Sequence, residues 1–491
     1  MTSIVTTARM AASGTRSDAA NSGARRNAFM GVRGPGAARG SDVGYSAAAL
    51  QWLEAVLIER FGAPLTLTVE DDRRVRLGLH GSNRRLLLQT DASTFTRADS
   101  DLPCARWDAA AEGWAPALPG KLPAPGGANL YTPIFQPDAQ GISVNYDILG
   151  LTYWMLSRQE EVGRPERDEH QRFPAAASHA LRHGYLERPV VDEWLAILGQ
   201  AINRVWPQFP RQRSTFSMRI SHDVDWPSRY GFSGPPHLMR MMLSDLINGR
   251  SMREVLRAPF IRMATRHQLL AGDPNNTFDW IMDLSDRHGL TSAFYFICGR
   301  TNPGMDATYE LGHPAIRALL RRIHARGHEI GLHPSYHTYR DPHAFAREAS
   351  YLRQICAEEG ISQLEWGGRM HILRWETPTT LRNWESVGMH YDSTLSYADR
   401  PGFRCGTCFE YPAFDPVEQA ALNLRIRPLI AMECTIMAPR YLGLGTGDAA
   451  HEKFRQLKDA CRSVAGCFTL LWHNSEFETE DKRRLYAALL H

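Results

Sequence analysis

Hydrophobic and polar positions fall into two textures that meet near residue 214. From Ser46 to Ile58 apolar residues recur at helical spacing. The following LTLTVEDDRRVRLGLHGSNRRLLLQT alternates with period two, which predicts a two-stranded hairpin turned at His80 to Asn83. Pro116 to Ala128 is a Pro/Gly-rich loop, Asn145 to Glu161 is apolar enough for a buried helix, and Pro189 to Val205 reads as an amphipathic helix. Pro207 to Ser214 combines two prolines with charge and predicts a domain boundary.

Beyond Thr215 short apolar runs alternate with helical patterns. Strands are expected at 216–221, 291–298, 328–332, near 366–370, at 425–432 and at 467–472, with helices at 277–288, 314–326, 342–358, 378–387 and 449–464 between them. Such a β/α series implies a parallel sheet. Its span of about 275 residues suits a closed or nearly closed (β/α) barrel better than a small open sheet. The expected organisation is a leader at 1–44, a smaller α+β domain at 45–210 and the barrel at 215–491.

Composition narrows the class. With 43 % apolar and 22 % charged residues, and no run of about 18 apolar residues, the chain reads as soluble, without a membrane span. The net charge of +3 is misleading, because residues 1–40 hold six Arg against one Asp and leave the rest at −2. The folded part therefore has no charge-based reason to bind nucleic acid. Ala, Gly and Ser make up 19 of those 40 residues, which predicts disorder; the stretch reads as a transit peptide or as upstream coding sequence, with the cytoplasm as default location. Eight irregularly spaced cysteines do not resemble a disulfide framework, and Cys405 and Cys408 form a lone Cys-x-x-Cys better read as buried thiols than as a zinc site.

In a β/α barrel the working residues sit at the carboxyl ends of the strands. The first strand ends in Ser221-His222-Asp223-Val224-Asp225, and alternation points Asp223 and Asp225 the same way. The third ends in His333-Pro334-Ser335-Tyr336-His337; a helical turn starting at Pro334 would stack His333 over His337. An Asp pair and a His pair in one barrel point to a two-His, one-carboxylate metal site.

A carboxylate pair, a His-x-x-x-His about 110 residues later, an Arg motif and a late Leu-x-His together resemble the NodB-homology polysaccharide deacetylases, carbohydrate esterase family 4. SHDVDWP, GLHPSYH, GGRMHILRW, YADRPGFR and LLWHN are similar to a branch of that superfamily with an extra amino-terminal domain, found with bacterial surface-polysaccharide genes. The resemblance covers roughly residues 215–491. It implies Asp223 as general base, Asp225, His333 and His337 as ligands of one divalent metal, His473 as general acid, and Arg369 as the group orienting the base. The metal is expected to be zinc, with cobalt, iron, nickel and manganese as alternatives.

Two features depart from the family's usual pattern. Val224 separates the two aspartates, which leaves their base and ligand roles exchangeable, and Arg369-Met370-His371-Ile372-Leu373-Arg374 replaces an Arg-Pro motif. Arg374 thus competes with Arg369, and His371 is an unexplained polar group and a reserve proton donor. The expected reaction is removal of an N-acyl group from a sugar, polysaccharide or nucleotide- or lipid-linked precursor. The alternatives are hydrolysis of a small non-sugar amide or imide, and a catalytically silent carbohydrate-binding module. Trp226, Tyr336, Tyr339, Trp375, Tyr397, Phe403 and Trp472 are candidates for stacking on sugar rings, and Arg300, Arg374, Arg400 and Arg404 for anionic groups. Oligomeric state is open.

Overall fold

The computed structural model describes residues 44–208, 214–247 and 249–491. Of the expected leader only Gly44 is among them, and most of the expected boundary segment also lies outside the described residues. The architecture is mixed α/β.

The amino-terminal part opens with helix Ala47–Phe61, capped by Ser46 and ended by Gly62 in the left-handed conformation that glycine adopts without steric cost. Three strands follow, β1 (Leu65–Asp71), β2 (Arg74–Leu79) and β3 (Arg85–Gln89), where one hairpin was expected. The extra turn lies at Asp72-Arg73, where the Asp71 carboxylate accepts from the Arg73 N–H (3.0 Å) and lets the alternation fold back twice. After β4 (Cys104–Trp107), β5 (Leu122–Pro125), β6 (Phe135–Asp138) and β7 (Gly141–Val144), the five-stranded sheet has the order β1-β2-β3-β7-β6, and β4 and β5 pair separately. Helices Ile148–Leu156 and Val190–Val205 bury their apolar faces in the core.

The larger sheet has nine strands: β8 (Ser217–Val224), β9 (Ser292–Ile297), β10 (Glu329–His333), β11 (Gly367–Gly368), β12 (Tyr391–Asp392), β13 (Tyr411–Asp415), β14 (Ala420–Ile426), β15 (Ala431–Met432) and β16 (Cys467–Leu471). Their order is β13-β14-β12-β11-β10-β9-β8-β16-β15, and every pairing is parallel except β13 with β14. No ladder among the described residues joins β13 or β14 to β15. The pairing is thus open between these edges, so a fully closed form of the expected closed or nearly closed barrel is not seen among the described residues. The cause is local: the apolar run read as one strand at 425–432 is broken by Arg427–Ile430, and the outer edge of β14 is taken by β13.

That edge is also where the two parts meet. Trp52 packs on Phe414 (5.0 Å between rings) and donates its indole N–H to the Pro412 carbonyl (2.9 Å). Deeper in, Glu161 accepts from Arg158 (Nη2, 2.8 Å) and from Arg404 (Nη2, 2.6 Å), all three side chains buried. One hydrophobic core runs from Tyr45 to Leu490, and the described residues form one compact unit.

Candidate metal and acid–base site

Five parallel strands deliver polar side chains to one end of the sheet. Asp223 is the last residue but one of β8, and Asp225 lies just beyond its end; His333 closes β10; Arg369 and His371 follow β11; Glu433 follows β15; His473 follows β16. All leave the carboxyl ends, where backbone hydrogen bonding of the sheet stops and side chains converge over it.

Asp225, His333 and His371 have ligand atoms within 4.8 Å of one another. The Asp225 Oδ1 lies 3.3 Å from His333 Nε2 and 3.8 Å from His371 Nε2. Each imidazole is fixed from behind. His333 Nδ1 donates to the Arg369 carbonyl (2.6 Å), which leaves the lone pair on Nε2. His371 Nδ1 sits 3.0 Å from Asp306 Oδ1, and Asp306 is itself held by the Tyr336 and Asn302 N–H groups (2.8 and 2.7 Å). Asp225 Oδ1 and His333 Nε2 are buried and have no hydrogen-bond partner. Two such atoms aimed at one point are costly unless something fills the gap, and a divalent cation fits a donor set of two imidazoles and one carboxylate.

Asp223 and His473 flank this triad. Asp223 Oδ1 accepts from Arg369 Nη1 (2.8 Å), while its Oδ2 faces His333 Nε2 at 3.7 Å. Arg369 is fully buried and also donates to the Ser221 hydroxyl (2.8 Å), the Ser393 hydroxyl (3.1 Å) and the Ser393 carbonyl (2.9 Å), so it has no freedom to release the carboxylate. Next to Asp225, His473 Nδ1 lies 2.5 Å from Glu433 Oε1 and its Nε2 lies 3.7 Å from Asp225 Oδ2. Burial pulls the His473 pKa down, but the Glu433 carboxylate, with Asp225 and Asp223 beyond it, outweighs burial and pushes it up to about 10. The neighbouring imidazoles likewise hold the Asp225 carboxyl well below the usual carboxylate range despite its burial.

His337 is not brought to this cluster. No helical turn starts at Pro334: the His337 N–H donates to the Thr301 hydroxyl (2.8 Å), the Ser335 carbonyl closes a tight turn onto Thr338 (3.0 Å), and a 3-10 turn begins at Thr338. The i,i+4 stacking is lost, and the His337 ring is exposed beside Tyr336 and Arg374. His371 stands where His337 was expected. Arg374 does not compete for the base either, since its guanidinium donates to the His170 and Tyr336 carbonyls (2.8 and 2.5 Å) and stacks on Tyr336 and Tyr339.

Of the aromatic candidates only Trp226 is exposed (38 %); Tyr336, Tyr339, Trp375, Tyr397, Phe403 and Trp472 are buried. Arg404 is consumed by Glu161, whereas Arg300 is exposed and Arg400 partly so. Cys405 and Cys408 are buried free thiols and belong to no metal-holding cluster among the described residues.

Known proteins add a fold likeness to this geometry. Residues 79–207 match a family of unknown function (DUF7033). No curated protein sequence matches the chain. Among solved structures it is similar to a putative polysaccharide deacetylase from Mycobacterium smegmatis (17 % identity, TM-score 0.36, covering 57 % of this chain and 84 % of that one). It is also similar to Puue allantoinase (14 %, 0.33, 58 % and 85 %) and to a probable polysaccharide deacetylase from Pseudomonas aeruginosa PAO1 (14 %, 0.31, 56 % and 84 %). Likenesses at these scores assign no activity.

A second cluster, Cys104, His179 and His183, also has donor atoms within 4.8 Å, but it does not suit a cation. His179 Nε2 donates to the Leu102 carbonyl (2.9 Å) and its Nδ1 accepts from the Tyr185 hydroxyl (2.5 Å), leaving no free lone pair; burial pushes the Cys104 thiol up to about 11. Sequence reasoning names His371 only as a reserve proton donor, not as a ligand candidate, and does not find Glu433. His371 had a usable signal, since Arg369-Met370-His371 repeats the alternation of Asp223-Val224-Asp225 with Met370 turned into the core. Glu433 was hidden by reading 425–432 as one unbroken strand.

Proposed function

We propose that this chain is a metal-dependent hydrolase that removes an N-acyl group from a sugar of a surface glycan or of its precursor. The observation that carries the reading is the Asp225–His333–His371 triad, in which Asp225 Oδ1 and His333 Nε2 are buried and unpartnered, flanked by Asp223 on Arg369 and by His473 on Glu433. Asp225, His333 and His371 would hold one divalent ion. When bound, that ion supplies Lewis acidity to a water and to the acyl oxygen.

The chain's own groups carry the proton transfers. Asp223 presents Oδ2 as the base, because Arg369 occupies Oδ1 and fixes its direction. An amine leaves poorly as an anion, and His473, kept protonated by Glu433, donates from Nε2 to the departing nitrogen. A base beside His333 and an acid beside Asp225, both next to one triad, suit hydrolysis of an amide more than simple binding of a ligand.

The test is incubation of purified, metal-reconstituted protein with nucleotide-linked N-acetyl sugars, N-acetylated oligosaccharides and small cyclic and linear amides, with carboxylate release measured. Acetate release from the sugars supports the reading. Turnover of the small amides alone replaces the sugar substrate with a small-molecule one.

A further inference from the structure

Three helices, Pro235–Ile247, Met252–Leu256 and Ala258–Ala264, are inserted directly after the Asp225 loop. They pack round a small core of Tyr230, Leu238, Ala258 and Ile261, anchored by the buried Asp245 carboxylate, which accepts from Arg229 (Nε, 2.9 Å) and the Tyr230 hydroxyl (2.5 Å). Inward faces alone would make an ordinary insertion. Each helix, however, carries a second apolar stripe that faces solvent: Met239, Leu243 and Ile247 at i, i+4 and i+8; Met252 and Leu256 at i and i+4; Phe260 and Met263 at i and i+3. Their exposures run from 58 to 76 %. With Leu246, these 25 positions hold eight of the fourteen exposed large apolar side chains among the described residues, a concentration that marks an interaction surface.

The charges on the insertion select the partner. Arg240, Arg253, Arg257 and Arg266 are exposed and form no ion pair among the described residues, against one exposed acid, Glu254. A second copy of this face would set four unpaired guanidinium groups against four more, which disfavours self-association. Apolar stripes interleaved with arginines match the acyl boundary and phosphates of an anionic bilayer.

We propose that the helices Pro235–Ile247, Met252–Leu256 and Ala258–Ala264, with Arg266, dock the protein on an anionic lipid surface. Among the described residues no helix is long and apolar enough to cross a membrane, so this is contact from one side. A cleft lined by Trp226, Arg229, His237, Met241, Arg250 and Glu476 separates the first of these helices from the loop that follows His473, and His237 and Met241 line it from the helix face turned away from the Met239–Leu243 stripe. The docking adds to the hydrolase reading and does not depend on it.

The experiment is co-sedimentation of the full chain with vesicles of phosphatidylcholine alone and of phosphatidylcholine with phosphatidylglycerol. Binding is expected only to the anionic vesicles, weakened by salt at several times the physiological level because the phosphate attraction is screened. The triple variant Leu243→Asp, Leu256→Asp, Phe260→Asp should lower partitioning about tenfold or more. Arg240→Gln, Arg253→Gln, Arg257→Gln and Arg266→Gln together should do the same with the apolar stripes intact; both sets change exposed residues, and unaltered melting verifies the fold. Absence of wild-type binding, or equal binding by both variants through the Arg-rich amino terminus, overturns the proposal. So does a dimer abolished by the triple variant without vesicle binding, which assigns the surface to a second copy.

Discussion

The carboxylate of Glu433 lies 2.5 Å from Nδ1 of His473 and is fully buried, so the imidazole takes its proton affinity from a residue 40 positions away. Its pKa, pushed up to about 10 in spite of burial, keeps Nε2–H available across neutral pH. Glu433→Gln removes the charge but keeps the volume, and the alkaline limb of the kcat/KM profile should then move to lower pH. An unmoved limb would exclude His473 as the titrating acid. The sign for stability follows the same shift: this pair stabilises the metal-free fold fully below the ordinary histidine pKa of 6.5 and loses that contribution as pH rises towards about 10.

Metal binding separates His371 from His337. His333→Ala and His371→Ala should each abolish stoichiometric metal, read by elemental analysis after dialysis, while His337→Ala retains it. Asp306→Asn, which loosens the clamp behind His371, should weaken metal affinity by about 10- to 100-fold.

Asp223→Asn should keep metal, because Asp225 and both histidines remain, yet lower turnover by about 10² to 10⁴, the range typical of lost acid–base assistance. Metal content and rate measured on the same sample check this; loss of metal would mean that Asp223 is a ligand.

His473→Ala should slow hydrolysis of sugar amides far more than that of activated aryl esters, whose leaving oxygen needs little protonation. An equal loss on both substrates, with a lower melting temperature, would assign His473 a structural role.

Glu161 joins the two parts of the molecule through Arg158 and Arg404. Burial raises its pKa, but the two guanidinium groups bring it down to about 2. Glu161→Gln leaves two buried cations short of a partner and should cost roughly 3 to 5 kcal/mol. The wild-type contribution is present above the ordinary glutamate pKa and lost as pH falls towards about 2, so the wild-type melting temperature should fall over that window more steeply than the variant's.

The sequence by itself determined what short-range periodicity encodes. Period-two and period-3.6 patterns located β8, β9, β10, β11 and β16 and the five helices at 278–287, 314–325, 342–358, 379–386 and 448–463, but not the three inserted helices of 235–264 or those at 433–437 and 480–489; the alternation at Asp223-Val224-Asp225 put both carboxylates on one side of the strand end. It did not determine which distant groups meet. His337 and His371 are both histidines just beyond a strand, and their local patterns do not rank them. The choice fell to Thr301, whose hydroxyl takes the His337 N–H and prevents the helical turn, and to Asp306, which fixes the His371 ring. Pairing of Arg369 with Asp223, 146 residues apart, and of Glu433 with His473, 40 apart, depends on strand order in the sheet. The break after β14 likewise depended on β13 folding back onto its edge. Strand order and edge occupancy are settled by packing across the whole core, which no local pattern of apolar and polar positions records.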